Sequence, residues 1–277
     1  MKSNSNKYPD LGLRILTGLL GAALILAGSA FSQWTYFAVF FVICIFSANE
    51  FYRLTWLDGM LPLKFLGTLN CLLIYTLTFL VESRVLSQKY YFCLLPVLAL
   101  VFLVKLYKKE EKPFTNIAYT FLGIFYIGLP FSLLNFVVFA SGIYNSHLVI
   151  GIMLILWCSD VGAYFVGVRY GRRKLFERVS PKKSWEGMIG AFLLALLASY
   201  MLGRYFHELD YLQWGIIAVI IVVTGTYGDL VESLFKRSIA IKDSSNILPG
   251  HGGFLDRFDG LLISLFFIVF YLKMFVY

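Results

Sequence analysis

Charge is scarce in this chain. Only 14% of its 277 residues are Asp, Glu, Lys or Arg, against about 25% in a soluble domain, and mean hydropathy is +0.76. That deficit excludes an ordinary water-soluble globule and forbids reading the length as two soluble domains. Cysteine is scarce too. Cys44, Cys71, Cys93 and Cys158 all lie inside apolar runs with no CxxC pair, which fits small packing residues better than a disulfide framework or a thiolate metal site. No small-residue cleavage site follows the first apolar run, so the polar start MKSNSNKYPDLGLR does not read as a cleavable signal peptide. The chain lacks GxxxxGK[ST], so it carries no P-loop. It shows no internal repeat, low-complexity tract or soluble appendage.

Long apolar runs are plentiful. Stretches of the length that crosses a bilayer fall at 11–31, 34–49, 61–81, 90–107, 117–140, 148–168, 187–206, 211–235 and 261–277. Gly128 and Pro130 allow a kink in the fifth. The expected fold is all-α: a polytopic integral membrane protein of about nine transmembrane helices. The net charge of +8 is first a topology signal, since cytoplasmic loops collect Lys and Arg. With nine spans and the N-terminus inside, Arg84, Lys89, Arg204 and Lys273 fall outside, and the other twenty of the 24 Lys and Arg fall inside. The expected topology is therefore N-terminus inside and C-terminus outside. The polar loops 169–186 and 236–259 are then both cytoplasmic. A loose division follows at residue 146. Residues 1–146 hold the first five spans, and 147–277 hold the last four and all the motifs.

Ionisable residues inside apolar spans are the informative ones, because a charge at mid-bilayer costs at least ~2.5 kcal/mol. Asp160 sits within WCSDVGAYFVG, and Asp229 within GTYGDLVESLFKR. Asp229, Glu232 and Lys236, or Ser233 and Arg237, repeat at helical spacing as one polar stripe. A buried ion pair or helix-end salt bridge is the plainer account of either Asp, and Glu232 can simply pair with Lys236. In the loop GRRKLFERVSPKKSWEG, topology and anionic lipid account for Arg172, Arg173 and Lys174. They account less well for Ser180, Lys182, Lys183 and Ser184. These residues lead with Trp185 into a helix N-terminus, where backbone N–H groups and the dipole favour phosphate.

The densest polar stretch is SLFKRSIAIKDSSNILPGHGGFLDRFD, residues 233–259. Pro249-Gly250 and Gly252-Gly253 break any helix across its middle, and the glycines let backbone approach a ligand closely. His251 between them can serve as acid–base or phosphate donor, or merely pack. His147 and His207 sit in short outside loops and read as bystanders. Asp256 and Asp259 share a face if the segment after Gly253 is helical. Carboxylates this close repel unless a cation sits among them. Together the residues point to metal-dependent phosphate chemistry on a lipid, with Lys and Arg neutralising developing charge. They do not choose a nucleotide.

The run Ser233-x-x-Lys236-Arg237-x4-Lys242-Asp243-x5-Pro249-Gly250-His251-Gly252-Gly253-x-x-Asp256-Arg257-x-Asp259 resembles the signature of the phosphatidate cytidylyltransferases, or CDP-diacylglycerol synthases, without a gap. SPKKSWEG and WCSDVGAYFVG resemble further blocks, so the likeness spans roughly 150–260, while the N-terminal half is similar only in hydrophobic layout. The resemblance implies the reaction CTP + phosphatidate giving CDP-diacylglycerol + pyrophosphate. It implies a homodimeric enzyme of a bacterial-type inner membrane, acting on membrane lipids with no nucleic acid. It further implies a two-cation centre with Mg²⁺ and, as second ion, K⁺ or another Mg²⁺. By motif, Asp229, Asp256 and Asp259 would bind metal, and Lys182 and Lys183 would meet CTP or lipid phosphate. Ser233, Lys236, Arg237, Lys242, Asp243, His251 and Arg257 would complete the polar pocket, with Ser180, Ser184, Gly252, Gly253 and Asp160 on its substrate side. Two other readings compete. One is a CTP-dependent polyprenol or lipid kinase. The other is a cation-coupled transporter with Asp160 and Asp229 as ion ligands.

Overall fold

In lipid a backbone must satisfy its own hydrogen bonds, so apolar runs become helices. The computed structural model describes residues 11–241 and 252–277. Its helices are α1 (Leu11–Phe31), α2 (Gln33–Leu57), α3 (Lys64–Glu82), α4 (Leu94–Leu106), α5 (Pro113–Gly123), α6 (Leu129–Val138), α7 (Ser146–Tyr170), α8 (Trp185–Tyr205), α9 (Tyr211–Ser238) and α10 (Leu255–Tyr271). Among the described residues, eight helical segments are long and apolar enough to cross a membrane, and Leu16–Phe31 in α1 is a shorter apolar helix. The all-α, polytopic architecture is as expected.

Polar residues set several boundaries. Ser32, Asn145 and Ser184 cap α2, α7 and α8 through their side chains. Asp210 and Gln213 form a capping box at α9. The expected kink near Pro130 takes the form of a π turn at Ile124–Gly128, which joins α5 to α6. Such a turn absorbs the missing proline N–H without ending the helix. Helix α2 runs eight residues past its expected end at 49, because Glu50 and Arg53 are carried on helical backbone. Helix α10 starts at Leu255, not at 261, so Asp256 and Asp259 stand on its first turns.

One element was not expected. Within 169–186, strands β1 (Lys174–Phe176) and β2 (Ser180–Ser184) form an antiparallel hairpin, pairing Lys174 with Ser184 and Phe176 with Ser180. The Glu186 carboxylate accepts from the backbone N–H groups of Arg172 and Arg173 at 3.1–3.2 Å. The hairpin is thereby tied to the start of α8. It holds Lys182 and Lys183 on ordered backbone.

A small second cluster gathers Leu63, Val101 and Ile117, and the larger apolar core joins helices of both halves. Polar groups lock it at chosen points, as is common between membrane helices. Asn135 of α6 donates to Thr78 Oγ1 (2.7 Å) and the Tyr75 carbonyl (3.0 Å) of α3, and accepts from Tyr36 of α2 (3.2 Å). Glycines Gly162 and Gly190 face each other's carbonyls where α7 meets α8, and a Cβ on either would collide there. At one end of the bundle His147, Glu208 and Tyr277 are linked by hydrogen bonds. At the other end lie the hairpin, the end of α9 and the start of α10. The described flanks of the second polar segment thus lie at the same end as the first.

Candidate active site

Helices α9 and α10 approach so closely because of glycine. A Cβ at Gly228 would lie 2.7 Å from the Asp259 carbonyl oxygen, and one at Gly260 would lie 3.1 Å from Asp229 Oδ1. Each glycine neighbours a site aspartate in sequence. Backbone contact therefore brings Asp229 of α9 and Asp259 of α10 into direct side-chain interaction. Asp259 Oδ1 also accepts from Gly260 N–H at 2.8 Å.

Asp256 and Asp259 share the start of α10 but face different partners. Asp256 accepts from Lys236 Nζ at 2.9 Å and from Gly253 N–H at 3.2 Å. Lys236 also pairs with Glu232 at 2.6 Å, and Glu232 is only 1% exposed. The expected pairing of Glu232 with Lys236 is therefore present, extended by a second carboxylate. Lys183 of β2 reaches Asp229 Oδ2 at 2.7 Å and the Thr226 carbonyl at 3.2 Å. Asp160 of α7 lies within electrostatic reach of Asp229, Lys183 and Arg257.

These groups line one cavity of about 890 Å³. Asp160, Lys182, Lys183, Ser184, Asp229, Asp256, Arg257 and Asp259 all face it. Ser184 is buried there and accepts from Gly187 N–H at 3.1 Å, so its hydroxyl is committed to the α8 cap. The other expected site residues stand differently. Lys236 acts behind Asp256, Ser180 begins β2, and Ser233 is half-buried on α9. Arg237 turns to the Ile241 carbonyl at 3.3 Å. Gly252 has φ +83°, a backbone that favours glycine, and Gly253 supplies the N–H to Asp256. Lys242, Asp243 and His251 lie outside the described residues.

Sequence reasoning missed three contributors. The cavity lining includes Gly18, Gly21, Ala22 and Ile25 of α1, in a stretch with no charge between Ile15 and Phe31 to mark it. Tyr126 carries its phenol from the π turn toward Asp259, Glu232 and Asp229, and its oxygen is buried without a hydrogen-bond partner among the described residues. Thr226 offers only its backbone carbonyl, which no sequence motif could signal.

Among the described residues no three His, Cys, Asp or Glu side chains converge as a ready-made metal cage. Of the three aspartates expected to bind metal, Asp229 and Asp259 stand together, with Asp160 within electrostatic reach, while Asp256 is paired with Lys236. Magnesium commonly binds through one or two carboxylates and completes its shell with water and substrate phosphate. Asp229 and Asp259 fit that habit.

Fold and site together define a polytopic membrane protein with a carboxylate–lysine centre at one end of its helix bundle. Residues 12–275 match the Cytidylyltransferase family, and the chain belongs to it. It is similar to the phosphatidate cytidylyltransferase of Haemophilus influenzae, 41% identical over 130 residues, 45% of each chain. It is similar to the enzyme of that name from Bacillus subtilis, 36% identical over 170 residues, 60% of this chain and 62% of the relative. The Staphylococcus aureus protein of that name is 35% identical over 174 residues, 61% of this chain and 65% of the relative. The matches thus span from under half to just under two thirds of these relatives' length.

The glycine contact makes a direct prediction. Gly228→Ala, whose Cβ would meet backbone, is expected to cost about 1–3 kcal/mol by overpacking and to lower the melting temperature in detergent. Gly215→Ala on the same helix, with nothing within 4 Å, should leave it unchanged or higher. Equal melting of both variants would mean that the two helices are not held this close.

Proposed function

We propose that the protein is a phosphatidate cytidylyltransferase, joining CTP and phosphatidate to give CDP-diacylglycerol and pyrophosphate. The observation that carries this reading is the make-up of the 890 Å³ cavity. Its lining combines paired carboxylates from α9 and α10 and lysines from β2 with apolar residues of α1. Such a cavity suits a substrate with a phosphate head and hydrocarbon tails meeting a second polyanion. Membership of the Cytidylyltransferase family and similarity to proteins named phosphatidate cytidylyltransferase support the choice of nucleotide and lipid.

The chemical difficulty is repulsion. A phosphate oxygen of the lipid must reach the α-phosphorus of CTP, and both molecules are anions. Phosphatidate is already a competent nucleophile, so charge stabilisation matters more than a strong base. Lys182 and Lys183 present two cations from an ordered strand beside the α8 N-terminus, where N–H groups and the dipole favour phosphate. Lys183 is held by Asp229 and Thr226 until substrate arrives, which keeps its ammonium aimed into the cavity. Arg257 adds a further cation on the same wall. Lys236 fixes Asp256 from behind and thereby the first turn of α10. Asp229 and Asp259 would hold Mg²⁺, which when bound screens the two substrates from each other and stabilises the leaving pyrophosphate. A second cation, K⁺ or Mg²⁺, and homodimer assembly belong to the same reading. The apolar wall shelters the lipid tails and keeps bulk water from the reacting phosphates.

Purified protein in detergent, given labelled CTP, phosphatidate and Mg²⁺, should form CDP-diacylglycerol and pyrophosphate. CDP with a phosphorylated lipid would instead identify a lipid kinase, and uptake of a solute without nucleotide turnover a transporter. Asp229→Asn and Asp259→Asn should each lower the rate by about 10²-fold or more while the protein still inserts. Wild-type turnover by either variant would remove the carboxylates from the reaction.

The charge distribution supports a site on the cytoplasmic face, and a bacterial-type inner membrane belongs to the same reading. In right-side-out vesicles, an Arg178→Cys variant in a cysteine-free background should resist a membrane-impermeant thiol reagent until the vesicles are opened. Labelling of intact vesicles would invert the topology.

A further inference from the structure

Glu50 is a carboxylate buried to 2% exposure on α2, far in sequence from every motif. Its Oε2 accepts from the Leu255 N–H at 3.2 Å, across 205 residues. Leu255 is the first residue of α10, whose N-cap residue Phe254 provides no side-chain cap of its own. The first N–H groups of a helix have no partner within it, and an anion there also meets the positive end of the dipole. Glu50 thus acts as the missing cap of α10 from another helix.

Two aromatic contacts from the same stretch of α2 complete the arrangement. Phe46 stacks on Phe254 at 4.9 Å with planes 10° apart. Phe51 stacks on Phe235 of α9 at 5.3 Å and 18°. Positions 46 and 50 lie one turn apart on one face of the helix, and Phe51 turns to the neighbouring face toward α9. Phe235 immediately precedes Lys236, the residue that bridges Glu232 and Asp256. Helix α2 therefore grips the start of α10 and the end of α9 at the turns that carry Asp256 and Lys236.

We propose that Glu50, supported by Phe46 and Phe51, is a positioning residue. By capping α10 it sets the register of α10 against α9, and so the placement of Asp256 and Asp259 opposite Lys236 and Asp229. The inference rests on the carboxylate site proposed above. Gln at position 50 keeps an oxygen that can accept from Leu255 N–H, whereas Ala keeps none. Glu50→Ala is expected to raise the Mg²⁺ concentration for half-maximal activity at least about fivefold and to speed hydrogen exchange in a peptide spanning 252–260. Glu50→Gln should stay near wild type in both readouts. Phe46→Ala, which leaves the carboxylate in place, should shift both in the direction of Glu50→Ala and keeps the test open if that variant does not fold.

A role limited to overall stability would lower the yield of folded enzyme without moving the Mg²⁺ requirement. Wild-type Mg²⁺ dependence and wild-type exchange in the folded variants would therefore overturn the proposal. Absence of CDP-lipid formation by the unmodified protein would instead defeat the functional reading, and the exchange comparison would still decide whether Glu50 holds α10.

Discussion

The contact between α9 and α10 is the constraint on which the site depends. Two carboxylates at the end of a membrane helix pair would ordinarily move apart or take up counterions. Here Gly228 and Gly260 remove the side chains that would separate the helices, and the backbones meet beside Asp229 and Asp259. The electrostatic cost of that closeness is met on one side by Lys183 at 2.7 Å from Asp229. The packing of the rest of the bundle, with one apolar core shared by both halves, holds the two helices where repulsion would part them. Like charges kept together by packing are a feature of sites that bind cations or react with anions.

The polar cluster has two layers. Toward the cavity stand Asp160, Asp229, Asp259, Lys182 and Lys183. Behind them Glu232, almost fully buried, and Lys236 form a linked set with Asp256, which itself borders the cavity. Removing one member of such a set leaves a buried charge without its partner, which costs more than the pair contributes. The back layer therefore fixes geometry, while the front layer faces the open cavity. The β1–β2 hairpin belongs to the front layer, because it turns a loop of scattered cations into a strand that aims Lys183 at Asp229.

Much of this was legible in the residues themselves. The apolar runs gave the membrane helices, and charge within them marked Asp160 and Asp229. The spacing of Asp256 and Asp259 placed both on one helix, but periodicity could not show that they would answer to different partners. That depends on where Lys236 and Asp229 sit on α9, which is a matter of tertiary packing. The hairpin escaped notice because its strands are short and charged, with no apolar alternation to reveal them. The α1 wall, Tyr126 and Glu50 escaped for a related reason. Each reaches the site from the N-terminal half, where no motif marks it and only the folded chain brings it near. Lys242, Asp243 and His251, prominent in the sequence, lie outside the described residues.

The central claim is that the α9–α10 contact makes Asp229 and Asp259 a single divalent-ion site. Binding of Mn²⁺, used as a spectroscopic stand-in for Mg²⁺, can be followed by electron paramagnetic resonance on the purified protein with CTP present. The account predicts a bound-ion signal in the unmodified chain that disappears when either Asp229 or Asp259 is changed to Asn. Equal Mn²⁺ binding in all three proteins would contradict it.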